Sequence, residues 1–344
     1  MKSFASDNYS PVLPEVLNFL ATTVNRDHQR AYGHDEFTAR AQEIIKNELH
    51  TPDADVHFVM TGTAANVLSV KQSLRSTQSV IVTSCSHLET NETGAPEAIS
   101  QSKLLAVSHH DGKIDLDQVQ LLLNQERDII PHTPRPRMMS VAQATEYGTV
   151  YTLDELKKIS EFCKQNNLLL HLDLCRVYNA AVFLNCSISD IVSAAQPDIA
   201  SIGGTKNGLL MAEAVVIFNP NLREDFELLQ KQSMQLYSKM RYLSGQFIPF
   251  FEQKLWLRAA TQANQACQLL AQKLSEIPAV KITRPVETNQ MFAILPANII
   301  PTLQAEYPFY IWDVSTNEVR LVTSFDTTQD EVENFSKRVR ELTQ

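Results

Sequence analysis

Seven short apolar runs alternate with helical patterns between residues 37 and 218, and this alternation leaves the chain few folds to adopt. The runs are 57–60, 80–82, 104–107, 138–142, 168–172, 198–202 and 214–218. Between them, segments such as 37–49, 64–74, 116–123, 153–165 and 188–195 carry apolar residues at helical spacing. Strand, helix, strand in this order predicts an α/β fold: a mostly parallel, seven-stranded sheet covered on both faces by helices. A run as continuous as Leu168-Leu169-Leu170-His171-Leu172 suits a strand buried on both sides. Beyond about residue 222 the pattern changes. Two long helical stretches are expected at 223–251 and 255–277, interrupted near Gly245 and Pro249, then short runs at 280–283, 291–295, 310–313 and 319–323, and a closing helix from Gln329. The reading is a large domain with an N-terminal arm (1–250) and a small C-terminal α+β domain (251–344).

With 44% hydrophobic and 20% charged residues over 344 positions, the chain has enough apolar side chains for a large core, which excludes a mainly disordered protein. Its net charge of −9, with no long Lys/Arg cluster, argues against a nucleic-acid partner. The opening Met1-Lys2-Ser3-Phe4-Ala5-Ser6-Asp7 lacks the apolar centre of a secretory signal, and no apolar run reaches membrane-spanning length. The expected location is the cytoplasm, with no membrane partner. Cys85, Cys163, Cys175, Cys186 and Cys267 never form a CxxC pair, so reduced thiols are expected and neither a disulfide framework nor a metal site.

The chemistry gathers at strand ends. Asp173 closes the run 168–172, and Lys206 lies in the loop Gly203-Gly204-Thr205-Lys206-Asn207-Gly208 just after the run 198–202. In open α/β sheets ligands bind beyond the carboxyl ends of the strands. An amine and a carboxylate meeting there suit pyridoxal 5'-phosphate, which needs a lysine for its aldehyde and an anion for its pyridine nitrogen.

Other motifs allow two readings each. Thr61-Gly62-Thr63-Ala64-Ala65-Asn66 opens a helix and is either a phosphate cradle or an ordinary capped turn. His87, in Ser86-His87-Leu88-Glu89, either lies on a cofactor ring or acts as acid or base, or is a capping histidine. Arg320, among the apolar residues of 319–323, meets either a substrate carboxylate or a structural anion. Arg176 is within reach of cofactor oxygens or a substrate carboxylate. His171 shares a strand face with Asp173 and is expected to orient that carboxylate. The remaining histidines, His57 included, are expected to be solvated.

Together these segments resemble the threonine aldolase / beta-eliminating lyase family of fold-type-I pyridoxal-phosphate enzymes, over nearly the whole chain. The resemblance is closest to the low-specificity L-threonine aldolase and phenylserine aldolase branch. It is carried by Ser6-Asp7-Asn8, Ala31-Tyr32-Gly33, 61–66, 87–94 with Ala95-Pro96-Glu97, Gln143-Ala144-Thr145-Glu146, 204–208, Ser238-Lys239-Met240-Arg241, Leu255-Trp256-Leu257-Arg258 and 323–327. It implies Lys206 as the lysine that carries pyridoxal 5'-phosphate, Asp173 at the pyridine nitrogen, Gly62 and Thr63 at the phosphate, and His87 on the ring. It implies Ser6, Arg176 and Arg320 around the substrate carboxylate and cofactor oxygens, Glu92 near the site, and Arg241 at the phosphate across a subunit boundary. A homodimer or homotetramer is implied.

Two departures bear on specificity. The family's Asp-Gly-Ala-Arg or Asp-Gly-Ser-Arg is here Asp173-Leu174-Cys175-Arg176, and the leucine is expected to add bulk beside the cofactor and narrow the pocket. The histidine of an Asn-Thr-His segment is here Glu146, as in the phenylserine branch. The implied reaction is retro-aldol cleavage of an L-3-hydroxy-α-amino acid to glycine and an aldehyde, with His87, Glu146 or a water held by them as base. The alternatives are a transaminase or β-eliminating lyase on the same frame, and a non-catalytic metabolite-binding protein.

Overall fold

A computed structural model describes residues 3–128 and 131–344. All seven apolar runs become strands of one sheet: β1 (Asp55–Val59), β2 (Gln78–Thr83), β3 (Lys103–Val107), β4 (Arg135–Ala142), β5 (Leu169–Leu174), β6 (Ile199–Gly203) and β7 (Glu213–Ile217). The strand order is β1-β7-β6-β5-β4-β2-β3. Pairings from β3 through β6 are parallel, whereas β7 runs antiparallel to both β6 and β1. The reason is connection length. Residues 204–212 alone join β6 to β7, fewer than the dozen or so that a parallel crossover needs. The chain therefore turns back at once, and that turn holds Lys206.

The covering helices are α1 (Glu36–Glu48), α2 (Gly62–Ser73), α3 (Leu153–Gln165), α4 (Val177–Leu184) and α5 (Ile188–Ala195). Capping boxes start α3 (Thr152 with Glu155) and α5 (Ser187 with Asp190), which fixes where each helix leaves its loop. Helix α2 packs over β6 and β7, so its first turn lies above the carboxyl end of the sheet. The bent pair α4–α5 is apolar, yet no single helix among the described residues is long and apolar enough to cross a membrane.

Strands β8 (Lys281–Ile282), β9 (Gln290–Ile294), β10 (Tyr310–Asp313) and β11 (Glu318–Val322) form an antiparallel sheet ordered β8-β9-β11-β10. Helices α6 (Leu255–Ser275) and α7 (Gln329–Leu342) pack against each other beside it, and Leu270, Leu274, Met291, Leu321 and Phe335 form its apolar core. Phe4 belongs to this core: its ring lies 4.7 Å from that of Phe335, and its carbonyl accepts the Val322 N–H at 2.8 Å. The N-terminal arm is thereby tied to the small sheet.

The long helix expected over 223–251 is absent. Three short helices, Phe226–Gln232, Arg241–Ser244 and Phe247–Glu252, take its place. The break after Gln232 has a tertiary cause: Gln230 Nε2 donates to Phe58 O (2.6 Å) and Gln235 Oε1 accepts the Met60 N–H (3.1 Å). These side chains satisfy the end of β1, and Met234 turns to φ +62° between them.

Candidate active site

Adjacent parallel strands deliver the two central residues. Asp173 stands near the carboxyl end of β5, and Lys206 lies in the 3₁₀ turn Thr205–Asn207 after β6. Glycine makes this turn possible. A Cβ on Gly203 would stand 2.7 Å from the Cys175 backbone, and Gly208 closes the turn at φ +99°, where other residues are strained. Lys206 and Asp173 line a cavity of about 280 Å³ with Gly62, Thr63, His87, Glu146 and Arg176. Ser6, Glu92, Arg241 and Arg320 do not line it.

Asp173 is held on both oxygens: Oδ1 accepts the Cys175 N–H (2.9 Å) and Oδ2 accepts from Asn66 Nδ2 (3.0 Å). Burial works to raise its pKa, but the Lys206 charge and the Cys175 bond outweigh it, so the carboxyl stays below its ordinary value and ionised. His171 does not orient it. Its Nδ1 pairs with Ser140 Oγ (2.8 Å) and its Nε2 with Ser201 Oγ (3.0 Å), and burial lowers its pKa to about 4. On β4 Ser140 is the register partner of His171, and on β6 Ser201, the partner of Asp173, lies within reach of the other ring nitrogen, so those hydroxyls take both. His57 is likewise not solvated: it packs 4.5 Å from Phe226 with Nε2 buried.

Thr61 caps α2 by accepting the Ala64 N–H (3.1 Å), and Gly62 and Thr63 follow at the open end of that helix, on the cavity wall. The motif is thus a capped turn whose helix N-terminus faces the cavity. One turn on, Asn66 Nδ2 lies between Asp173 Oδ2 and Glu92 Oε1 (3.4 Å). That same Glu92 oxygen meets His87 Nδ1 at 2.6 Å. Glu92 thus reaches the cavity only through His87 and Asn66.

Glu146 Oε1 accepts the backbone N–H of His87 (2.9 Å). Burial pushes its pKa up to about 7, against the lowering by that bond. Arg176 is taken by an acid that the sequence reading left unassigned. Its Nε and Nη2 donate to the two oxygens of Asp7 at 2.7 and 3.0 Å, and Asn289 adds a third bond to Asp7 at 3.1 Å. Burial alone would raise the Asp7 pKa, but Arg176 brings it below the ordinary value. Ser6 caps this short turn, accepting the Asn8 N–H (3.2 Å).

Arg320 donates to Ala5 O (3.2 Å) and stacks 5.4 Å from the rings of both Tyr310 and Trp312, while its Nε is buried without a partner. Burial, and then the Arg176 charge, lower its pKa to about 10. Arg241 starts its short helix, lies 4.9 Å from the Tyr242 ring and also has an unpartnered buried Nε.

Leu174 does not narrow the cavity. It is fully buried in the main apolar core, because alternate residues of β5 face opposite sides of the sheet. Cys175 takes the place on the wall. Besides Asp7, the sequence reading left Asn66 and Glu213 unassigned. Asn66 had a signal, since it lies three residues after Thr63 on the same helix face. Glu213 had one too, as the single charge heading an apolar strand.

Residues 3–298 match the family described as beta-eliminating lyase. The low specificity L-threonine aldolase of Pseudomonas aeruginosa is 40% identical over 98% of this chain and 97% of its own length. That of a further Pseudomonas species is 39% identical over the same shares. A solved threonine aldolase of Leishmania major superposes with a TM-score of 0.93 at 30% identity, covering the whole of both chains. A family match over residues 3–298, 40% identity over nearly the full length and a shared fold lead to one conclusion: the chain belongs to the beta-eliminating lyase family and has the fold-type-I architecture of the threonine aldolases.

Proposed function

We propose that this protein is a pyridoxal-phosphate-dependent aldolase that cleaves L-3-hydroxy-α-amino acids, such as L-threonine, L-allo-threonine or L-phenylserine, to glycine and an aldehyde. One observation carries the reading: an amine (Lys206), an ionised carboxylate (Asp173) and a carboxyl poised near pH 7 (Glu146) face one cavity under a helix N-terminus. This donor set fits the cofactor. Lys206 would hold it covalently, Asp173 would offer a negative charge to the pyridine nitrogen, and the N–H groups of Gly62 and Thr63 would receive the phosphate. Bound there, the cofactor supplies the electron sink for the bond pair left on Cα.

The protein's own groups do the rest. Arg320 does not line the cavity but lies near enough to Arg176, on its wall, to feel that charge; it binds the substrate carboxylate, which its unpartnered Nε supports, since a buried guanidinium gains most from a bidentate anion. Arg176, already neutralised by Asp7, is left to contact cofactor oxygens. Glu146 accepts the β-hydroxyl proton as the Cα–Cβ bond breaks, the aldehyde departs, and return of a proton to Cα gives glycine and leaves Glu146 ionised again. His87, with Nδ1 committed to Glu92, would cover the ring of the bound cofactor and present Nε2. Arg241, outside its own cavity, serves a neighbouring copy in a homodimer or homotetramer; Met234, 83% exposed on the adjoining segment, supports such a contact.

The test is aldehyde release by the cofactor-loaded protein, offered the three amino acids in parallel. Aldehyde with stoichiometric glycine from at least one is expected, and Lys206→Ala abolishes it. No aldehyde from any, with cofactor still bound, overturns the reading in favour of a transaminase or β-lyase.

A further inference from the structure

Glu213 opens β7, whose other residues are all apolar, and is only 4% exposed. Its register partners are Gly203 on β6 and Val59 on β1, so neither neighbouring strand offers it a charge. It is there because the short β6–β7 connection brings the start of β7 back against the lysine turn. Its Oε2 accepts the N–H of Gly204 at 3.0 Å, two residues ahead of Lys206. Burial raises its pKa to about 7, while the Thr205 hydroxyl, the Lys206 charge and the Gly204 N–H oppose the rise. Thr205 Oγ1 in turn accepts the Ala212 N–H (3.2 Å).

Among the described residues no arginine or lysine forms an ion pair with Glu213, and the cation whose field it feels is Lys206. The other titratable groups around it are neutral. Cys175, beyond β5, is pushed up by burial and then by Asp173, and Tyr178 on α4 by burial and then by Glu213 itself. Asp173 and Asp7 also act on Lys206. A glutamine at 213 would accept the same N–H without a buried charge, which is costly in a sheet. What the carboxylate adds is its field at the lysine.

We propose that Glu213 is a positioning residue for Lys206: it clamps the lysine turn through Gly204, and its carboxylate, on the wall of the same cavity, acts electrostatically on the lysine amine. The functional meaning rests on the reading of Lys206 as the cofactor lysine, because only a neutral amine attacks an aldehyde. The physical claim concerns the amine alone.

The test is competitive acetylation of the cofactor-free, full-length chain with acetic anhydride across pH, with Lys206 read by peptide mass spectrometry. In Glu213→Gln the midpoint for Lys206 falls by about one pH unit, the usual effect of removing a nearby opposite charge. An unchanged midpoint overturns the proposal. Should that variant not fold, Thr205→Val removes one group that favours the charged carboxylate and gives a smaller shift in the same direction; no shift overturns the proposal equally. In a parallel measurement, the visible absorbance of the lysine-linked cofactor titrates at lower pH in Glu213→Gln. If the wild-type chain shows no lysine-linked absorbance, the cofactor reading fails, and the labelling midpoints still decide the role of Glu213.

Discussion

Glu92 Oε1 lies 2.6 Å from His87 Nδ1, with the carboxylate fully buried and the imidazole 39% exposed. The same oxygen faces Asn66, whose amide also holds Asp173. One carboxylate therefore fixes the ring that covers the cavity and shares a donor with the group assigned to the pyridine nitrogen. Such a pair places the ring proton on Nδ1 and leaves Nε2 free.

Glu92→Gln replaces a charge-assisted bond by a neutral one. The expected loss in kcat is about tenfold, since charge-assisted bonds are roughly twice as strong as neutral ones. Steady-state aldehyde release measures the loss, and nitrogen NMR of His87 reads the tautomer. An unchanged tautomer population in the variant would count against Glu92 as its cause.

Glu146 makes opposite demands on activity and stability. In its proposed role as base it must be ionised, so activity is expected to rise with pH through about 7. Glu146→Gln removes that limb and lowers kcat by about 10²- to 10⁴-fold. For stability, an unfolded glutamate titrates near about 4.3, below the folded value. The folded chain thus holds the extra proton between the two, and the contribution of Glu146 is complete below about 4.3 and lost as pH rises through 7. Urea unfolding at about pH 5 and about pH 8 shows the sign: Glu146→Gln gains on wild type as pH rises.

Arg320→Lys keeps the charge but loses the planar fork and its stacking on Tyr310 and Trp312. The expected fall in kcat/KM is about tenfold, or about 1.5 kcal/mol, the worth of one hydrogen bond to a charged group. Binding of a 2-amino alcohol, which lacks the carboxylate, should be the same in both proteins. If the two ligands weaken together, Arg320 does not read the carboxylate.

Asp7→Asn leaves Arg176 buried without its counter-charge. Breaking a buried pair on one side costs about 3 kcal/mol or more, which urea unfolding will register as a lower midpoint at unchanged slope. Asp7→Asn with Arg176→Met should recover part of that loss, because the stranded charge is gone.

The strands, their parallel majority and the positions of Lys206 and Asp173 were legible in the chain because each depends on a few neighbouring residues. An apolar run specifies a buried strand, and a polar residue just after it marks the ligand-binding edge. The antiparallel strand β7 was legible as a strand but not in its direction, although the length of 204–212 holds that information.

Contacts between distant residues were not legible. Asp7 reaches Arg176 across 169 positions, and Asn66 reaches Asp173 across 107. Phe4, three residues before Asp7, is seated in the small core, and this holds the arm where Asp7 meets Arg176. Likewise, the serines flanking β5 claimed His171, and the pleat sent Leu174 into the core instead of the cavity. Local sequence thus determined which residues stand at the sheet edge. Only the packed structure decided which of them are free to meet a ligand, because hydrogen-bond partners and burial are settled by elements far apart in the chain.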